Sequence, residues 1–386
     1  MASPDIGQAG HGAQDARGGE QAPAHSAETA SQWQLMRWRF GQHKAAVVSL
    51  VVLVILYLIA IVVEFVAPYA TDTYNIKYIM APPMRVRFFD ADGGFHLRPF
   101  VYDYTTSRDP ESLRIVQVVD TEAMHPIRFF VRGDDYRFWG LWRANLHLFG
   151  IDDREALILL WGGDEQGRDL FSRTVYGARL SLSIGFVGVI LSLVLGILLG
   201  GISGYFGGTI DMVIQRIIEL LQAIPRIPLW LTLSAALPRD WGTVEVYFGI
   251  TIILSVLGWT GLARTVRGKF LALREEDFTQ AAKYLGASEM RIIIRHMVPS
   301  FSSHLIAVLT LRVPEMILAE TSLSFLGLGL REPVISWGVL LTGVQNIRAV
   351  ALAPWLFLPG LAIVVTVLAF NFVGDGLRDA ADPYAQ

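Results

Sequence analysis

Apolar residues gather in six stretches, at about 45–66, 180–202, 210–237, 246–262, 304–319 and 355–373, with polar residues dominating between them. A bilayer core of about 30 Å needs roughly 20 apolar residues in a helix, because lipid offers no partner to an unpaired backbone group. The pattern predicts an all-α polytopic membrane protein of about six transmembrane helices. Cations set its orientation: Arg37, Arg39 and Lys44 precede the first stretch, Arg264, Arg267 and Lys269 follow the fourth, and Arg378 follows the sixth. Positive residues stay on the cytoplasmic side. Both termini and the loop after the fourth stretch are therefore expected there, as an even number of crossings requires.

The polar segments divide the rest. Residues 1–31 carry almost no large apolar side chains and read as a disordered cytoplasmic tail. Residues 32–66 combine an interfacial segment, WQLMRWRFGQHK, with the first span. Its rings and cations suit the headgroup level, which makes membrane lipid a partner. No stretch reads as a cleavable signal peptide, since the first apolar run is too long. Residues 67–170 are aromatic and charged of both signs, and short alternating runs such as Ile127–Val131 predict strands in a mixed extracytoplasmic insertion. Asp90, Asp92 and Asp103 lack the spacing of a calcium loop and are read as solvated carboxylates. Residues 171–386 form the core.

Composition narrows the function. The 386 residues are 53% hydrophobic and 17% charged, net charge is -3, and there is no cysteine. No nucleic-acid partner is indicated, and disulfides and thiolate ligands are excluded. The chain has no G-x-x-x-x-G-K-[ST] loop to cradle ATP. No catalytic constellation and no metal set recurs within the spans; His296 and His304 flank the fifth span without a partner motif. What stands out in the apolar stretches is polar or helix-breaking: Glu219, Gln222, Pro225 and Arg226 in the third, Arg312 and Glu315 in the fifth, then Glu320 and Ser324 just after it. Arg226 would cost about 2.5–3.5 kcal/mol facing lipid at a helix centre. It either faces protein or a translocation path with Glu219 and Gln222, or snorkels near a boundary. Arg312 and Glu315 can pair at i,i+3.

The loop 275–300 is polar and sits between apolar stretches. Phe278 to Leu285 predicts a short helix, Gly286 its left-handed end, Ser288 the cap of a second helix, and Pro299 the first turn of a third. Ala281 and Ala282 leave room for a close partner, with Ala287 following the turn. Gln280-Ala281-Ala282, then Gly286, then His296-Met297-Val298-Pro299 resembles the EAA loop of ABC-importer permeases, with Gln280 in place of the usual Glu. Gly162, Asp164, Gly167-Arg168-Asp169, Ser172-Arg173, Tyr176-Gly177, Arg179 and Ser181-Leu182 match the family's entry to the second span. Residues 320–329 with Pro333 and Ser336-Trp337-Gly338 resemble its ALSFLGLG…PSWG signature, and Gly374 to Asp379 with Asp382-Pro383 its tail.

The chain thus resembles the dipeptide/oligopeptide (DppC/OppC-like) transmembrane permeases of ABC importers. The resemblance implies the type I importer fold in a bacterial inner membrane, and a coupling role for Gln280, Ala281, Ala282, Gly286, Ala287, Ser288 and Pro299. It also implies separate ABC ATPase subunits that carry the ATP and Mg, a second B-type permease subunit, and an extracytoplasmic substrate-binding protein. The implied activity is alternating-access import of di- and oligopeptides. Oligosaccharide or nickel-complex import is the nearest alternative, with a passive channel or intramembrane enzyme further away.

Overall fold

The computed structural model describes residues 32–381 apart from 109, 111–114, 154 and 239. The tail 1–31 and the Asp382-Pro383 pair lie outside the described residues. Among the described residues five helices are long and apolar enough to cross a membrane, and one further pair is bent. The interfacial segment is helix α1 (Gln32–Gln42) and the first span is α2 (Lys44–Ile61).

Helix α3 (Leu170–Phe206) is much longer than its apolar stretch. Asp169 starts it early: its carboxylate accepts from the Phe171 amide at 3.3 Å and the Ser172 amide at 2.8 Å. At 1.5 Å per residue the 37-residue helix is about 55 Å long, so it projects beyond the hydrocarbon core. It ends where Gly207 and Gly208 both take positive φ, 66° and 56°, a region that glycine enters without steric cost.

The third apolar stretch is not one straight span. Helices α4 (Gly208–Ala223) and α5 (Arg226–Ala235) meet at 86°. Pro225 is the cause. A residue before proline is pushed out of the helical region, and Ile224 is extended at φ −88°, ψ 129°. Helix α6 (Thr243–Leu273) packs along α3. Gly196 and Gly204 permit the approach: a Cβ at Gly196 would lie 2.8 Å from Leu262 Cδ2, and one at Gly204 2.7 Å from the Arg267 carbonyl oxygen. Small residues let membrane helices pack backbone to backbone where no hydrophobic force separates lipid from protein. Further along the chain come helices α7 (Asp277–Tyr284), α8 (Ser302–Phe325), α9 (Trp337–Leu340) and α10 (Leu358–Ala381), with α10 against α8 and α2.

The insertion is built from β-structure, with one three-residue helical turn at Ile76–Tyr78. Strands β1 (Arg87–Phe89), β2 (Phe95–Arg108) and β3 (Ile115–Pro126) form one antiparallel sheet, and β4 (Arg128–Phe138) and β5 (Trp142–Gly150) a separate hairpin. The strand read at Ile127–Val131 begins one residue later and runs on to Phe138. Tyr78, Met84, Val101, Tyr104, Ile158 and Leu159 form its core.

Asp103 is buried there, accepting from Lys77 Nζ at 2.6 Å, Tyr78 OH at 2.8 Å and the Tyr104 amide at 2.6 Å. It is a structural carboxylate rather than a solvated one. Burial pushes its carboxyl up, but the Lys77 and Tyr78 hydrogen bonds outweigh burial and hold it below the usual 3.8. A lowered folded value stabilises above the unfolded value and is lost as pH falls through the folded one. Protease resistance of the insertion is thus expected to be flat from about pH 5 to 8 and to fall below 3.8. Asp103→Asn should remove that acid dependence and cost about 1–2 kcal/mol at neutral pH, since Lys77 is partly solvated.

Candidate functional site

The loop 275–300 presents one face inward and one outward. Helix α7 ends in a Schellman turn: the Ala287 amide donates to Ala282 O at 3.1 Å and the Gly286 amide to Lys283 O at 3.0 Å. Gly286 sits at φ 78°, where a side chain is strained. After the turn the chain is helical through Glu289–Arg291, a π-helical run Ile292–Met297, and Val298–Ser300 with Pro299 in its first turn. Ser288 holds the position before that helix but its hydroxyl caps nothing; its carbonyl accepts from the Ile292 amide at 3.0 Å. Gln280 Nε2 donates to the Arg274 carbonyl at 3.0 Å, so the amide in the usual Glu position is spent within the chain.

Burial separates the two alanines. Ala282 joins Ile292, Ile293 and Met297 against Tyr205, Val266, Phe270 and Leu305. Ala281 is exposed. Beside it the surface is apolar: Tyr284 and Leu285 are each 87% exposed, with Phe278, Met290 and Ile294 also open to solvent.

A second locus lies where the broken pair meets α6 and α8. A cavity of about 280 Å³ is lined by Arg226, Trp230, Leu257, Gly258, Glu315 and Met316, among others. Arg226 and Glu315 reach it from different helices. Arg312 Nη1 is 3.7 Å from Glu315 Oε2 and 3.4 Å from Gly258 O, and its Nε has no hydrogen-bond partner. Gln222 donates to Thr260 Oγ1 at 3.2 Å. Glu219 instead pairs with Arg216 on the exposed side of α4 at 2.7 Å. Pro225 forms the bend rather than the lining.

Glu320 and Ser324 are placed elsewhere, fully buried between α8 and α9. Glu320 Oε1 accepts from the hydroxyls of Ser324 and Ser336, each at 2.7 Å, while Oε2 has no hydrogen-bond partner. Ser336 also accepts from the Val339 amide at 3.2 Å, and Trp337 Nε1 donates to Thr174 O at 3.0 Å. These contacts join the 320–338 signature to the start of α3.

Sequence reasoning matched several charges near the second span without seeing what they do. Asp164 Oδ2 accepts from Arg168 Nε at 2.7 Å and from Arg173 Nη1; Glu332 Oε1 accepts from Arg173 Nη2 at 2.5 Å and Arg168 Nη2 at 2.9 Å. Burial pushes the Glu332 carboxyl up, and the hydrogen bonds from Arg173 and Arg168 more than reverse it. Arg179 likewise forks onto Glu64 at 2.7 and 2.6 Å and donates to Ala60 O at 3.0 Å, closing the end of α2. Their pairing of cation and anion types was the available signal, but the partners lie far apart in the chain.

Apolar helices of membrane-crossing length, joined by an exposed loop between two of them, define a multi-pass membrane protein. Residues 192–385 match the family of binding-protein-dependent transport system inner membrane components, and residues 31–83 match the N-terminal TM domain of oligopeptide transport permease C. The chain belongs to the binding-protein-dependent transport system inner membrane component family, the membrane component of ABC importers, and has its type I importer fold.

It is 40% identical over 225 residues to the dipeptide transport system permease protein DppC of Bacillus subtilis (strain 168), covering 58% of this chain and 68% of that one. It is 39% identical over 224 residues to the oligopeptide transport system permease protein OppC of Haemophilus influenzae, covering 58% and 70%. A solved inward-facing structure of the MetNI methionine ABC transporter overlaps 55% of this chain and 98% of its own, at 18% identity and a TM-score of 0.42.

Proposed function

We propose that this chain is the C-type permease subunit of an ATP-driven importer of di- and oligopeptides in a bacterial inner membrane. Its termini and the 275–300 loop face the cytoplasm, and the 67–170 insertion faces outward. The observation that carries the coupling role is the exposed apolar knob of Tyr284 and Leu285, held at a glycine-dependent turn and backed by the packed Ala282, Ile292 and Met297. Such a knob suits a hydrophobic cleft on a separate subunit. ABC ATPase subunits with ATP and Mg supply that cleft and the work. Their closure pushes the 275–300 helices, which rest on the cytoplasmic ends of α3 and α6, and rocks the bundle between inward- and outward-open states.

One six-span chain lines half a pathway, so a B-type permease subunit completes it and a substrate-binding protein delivers cargo. Arg226 and Glu315 at the cavity between α5, α6 and α8 are the residues proposed to meet substrate. Peptide as cargo is supported by the named dipeptide and oligopeptide permeases that the chain is similar to. The test is uptake into proteoliposomes holding the whole complex, offered labelled di- and oligopeptides, an oligosaccharide and a nickel complex. ATP-dependent accumulation of peptide alone is expected. Sugar or nickel accumulation would replace the cargo, and flux without ATP would replace the mechanism with a channel.

A further inference from the structure

The β4–β5 hairpin carries an apolar and cationic tip that transport coupling leaves without a role. Phe138 and Trp142 are cross-strand partners whose rings stack at 5.3 Å between centroids. Trp139, Gly140 and Leu141 close the loop, with Gly140 at φ 74°. Leu141 is 75% exposed and Trp142 58%, and Phe129 and Phe130 on the same hairpin are open as well. One position above the stacked rings, Arg137 lies directly opposite Arg143, and both are exposed. Like charges placed directly opposite destabilise a sheet. Among the described residues no carboxylate forms an ion pair with either arginine.

Contacts with the end of the first membrane helix and the chain that leaves it fix where this tip sits. Midway along the hairpin, His147 Nδ1 is 2.6 Å from Ala67 O, and Asp134 Oδ2 accepts from the Ala70 amide at 3.1 Å. At the tip, Trp139 Nε1 donates to Ile61 O at 2.9 Å, and the Arg179 guanidinium lies 4.2 Å over the Trp139 ring. The hairpin therefore runs back from the level of Ala67 to that of Ile61, the last residue of α2. Six residues of largely helical chain correspond to about 9 Å of descent. Val54, Ile55, Leu58 and Ile61 of α2 are apolar and exposed, a surface suited to lipid. The hairpin tip continues that surface.

We propose that the β4–β5 tip is a membrane anchor. Leu141, Trp142 and Trp139 lie at the headgroup–acyl boundary of the leaflet on the insertion's side, and Arg137 and Arg143 together bind a lipid phosphate. Indole rings favour this depth because one edge is apolar and the other can hydrogen-bond. The planar guanidinium matches phosphate oxygens, and an anion between the two arginines turns their repulsion into attraction. The anchor holds the insertion against the membrane whatever cargo the chain carries.

The absence of cysteine makes the test direct. A nitroxide is attached to Leu141→Cys in the full chain, reconstituted in phosphatidylethanolamine–phosphatidylglycerol vesicles. A label at Thr121→Cys, exposed on the separate β1–β3 sheet, serves as the water reference. The Leu141→Cys label is expected to lose contact with a water-soluble nickel chelate and gain contact with oxygen, relative to Thr121→Cys. Adding Arg137→Glu and Arg143→Glu should return it toward the water reference. In the chain without label, lipids brominated near the glycerol should quench more emission than in Trp142→Phe. Equal nickel access at both labels, or no quenching difference, overturns the anchor. So does nickel protection that arises only on adding a second permease subunit, since the tip would then be a protein interface.

Discussion

Leu285→Asp is expected to weaken binding of the ATPase subunit by about 30-fold or more and to abolish ATP-driven uptake, with the helical content unchanged. Leu285 follows α7 at the Schellman turn and is 87% exposed, so no intramolecular packing is lost when it is replaced. The loss falls entirely on whatever covers it. A central, well-packed anchor contributes about 2 kcal/mol or more to an interface, which is about 30-fold in affinity. An unpaired carboxylate pressed into an apolar cleft adds a desolvation cost in the same direction. Co-purification of the ATPase and circular dichroism on the same preparation separate lost docking from lost folding. Full uptake by this variant would remove the knob from the coupling path.

The spans were legible because lipid makes one demand that sequence records: long apolar runs with the backbone satisfied inside. What that signal omits is direction. Residues 210–237 are apolar on both sides of Pro225, so length alone gave one crossing, while the extended Ile224 turns the two limbs to 86°. The turn after α7 was legible from Gly286, whose positive φ few other residues accept. Which alanine faces outward was not, since Ala281 and Ala282 are chemically identical neighbours and only the packing of Ile292 and Met297 beneath one of them decides. Glu320 shows the same gap. A carboxylate in an apolar stretch marks either a polar path or a closed polar contact, and two serine hydroxyls place it in the second. Of the β4–β5 hairpin only the start, read at Ile127–Val131, was legible. Most of its residues are partly or fully exposed on both faces, so no alternation of apolar and polar positions marks its length.

Arg173→Ala should be the most damaging single change to the fold, at about 3 kcal/mol or more. Arg173 is 3% exposed and forks between Asp164 and Glu332, joining the segment before α3 to the loop after α8. Removing one partner of a buried pair costs about 3–5 kcal/mol, because the charge left behind has lost water and partner together. Arg168 still reaches Asp164 at 2.7 Å, which sets the expectation at the low end of that range. Arg173→Lys should recover only part of the loss, since one ammonium on a flexible stem cannot span two carboxylates as the guanidinium does. Glu332→Gln should cost less than about 1 kcal/mol, because that side chain is 44% exposed and solvent replaces what it loses. Thermal unfolding of the purified variants orders them. A melting point for Arg173→Ala equal to that of the unaltered chain, or a Glu332→Gln loss as large as that of Arg173→Ala, would show that the buried carboxylate Asp164 is not what makes the arginine indispensable. The expected asymmetry follows from burial alone: the same guanidinium touches both acids, and only one of them has no water to fall back on.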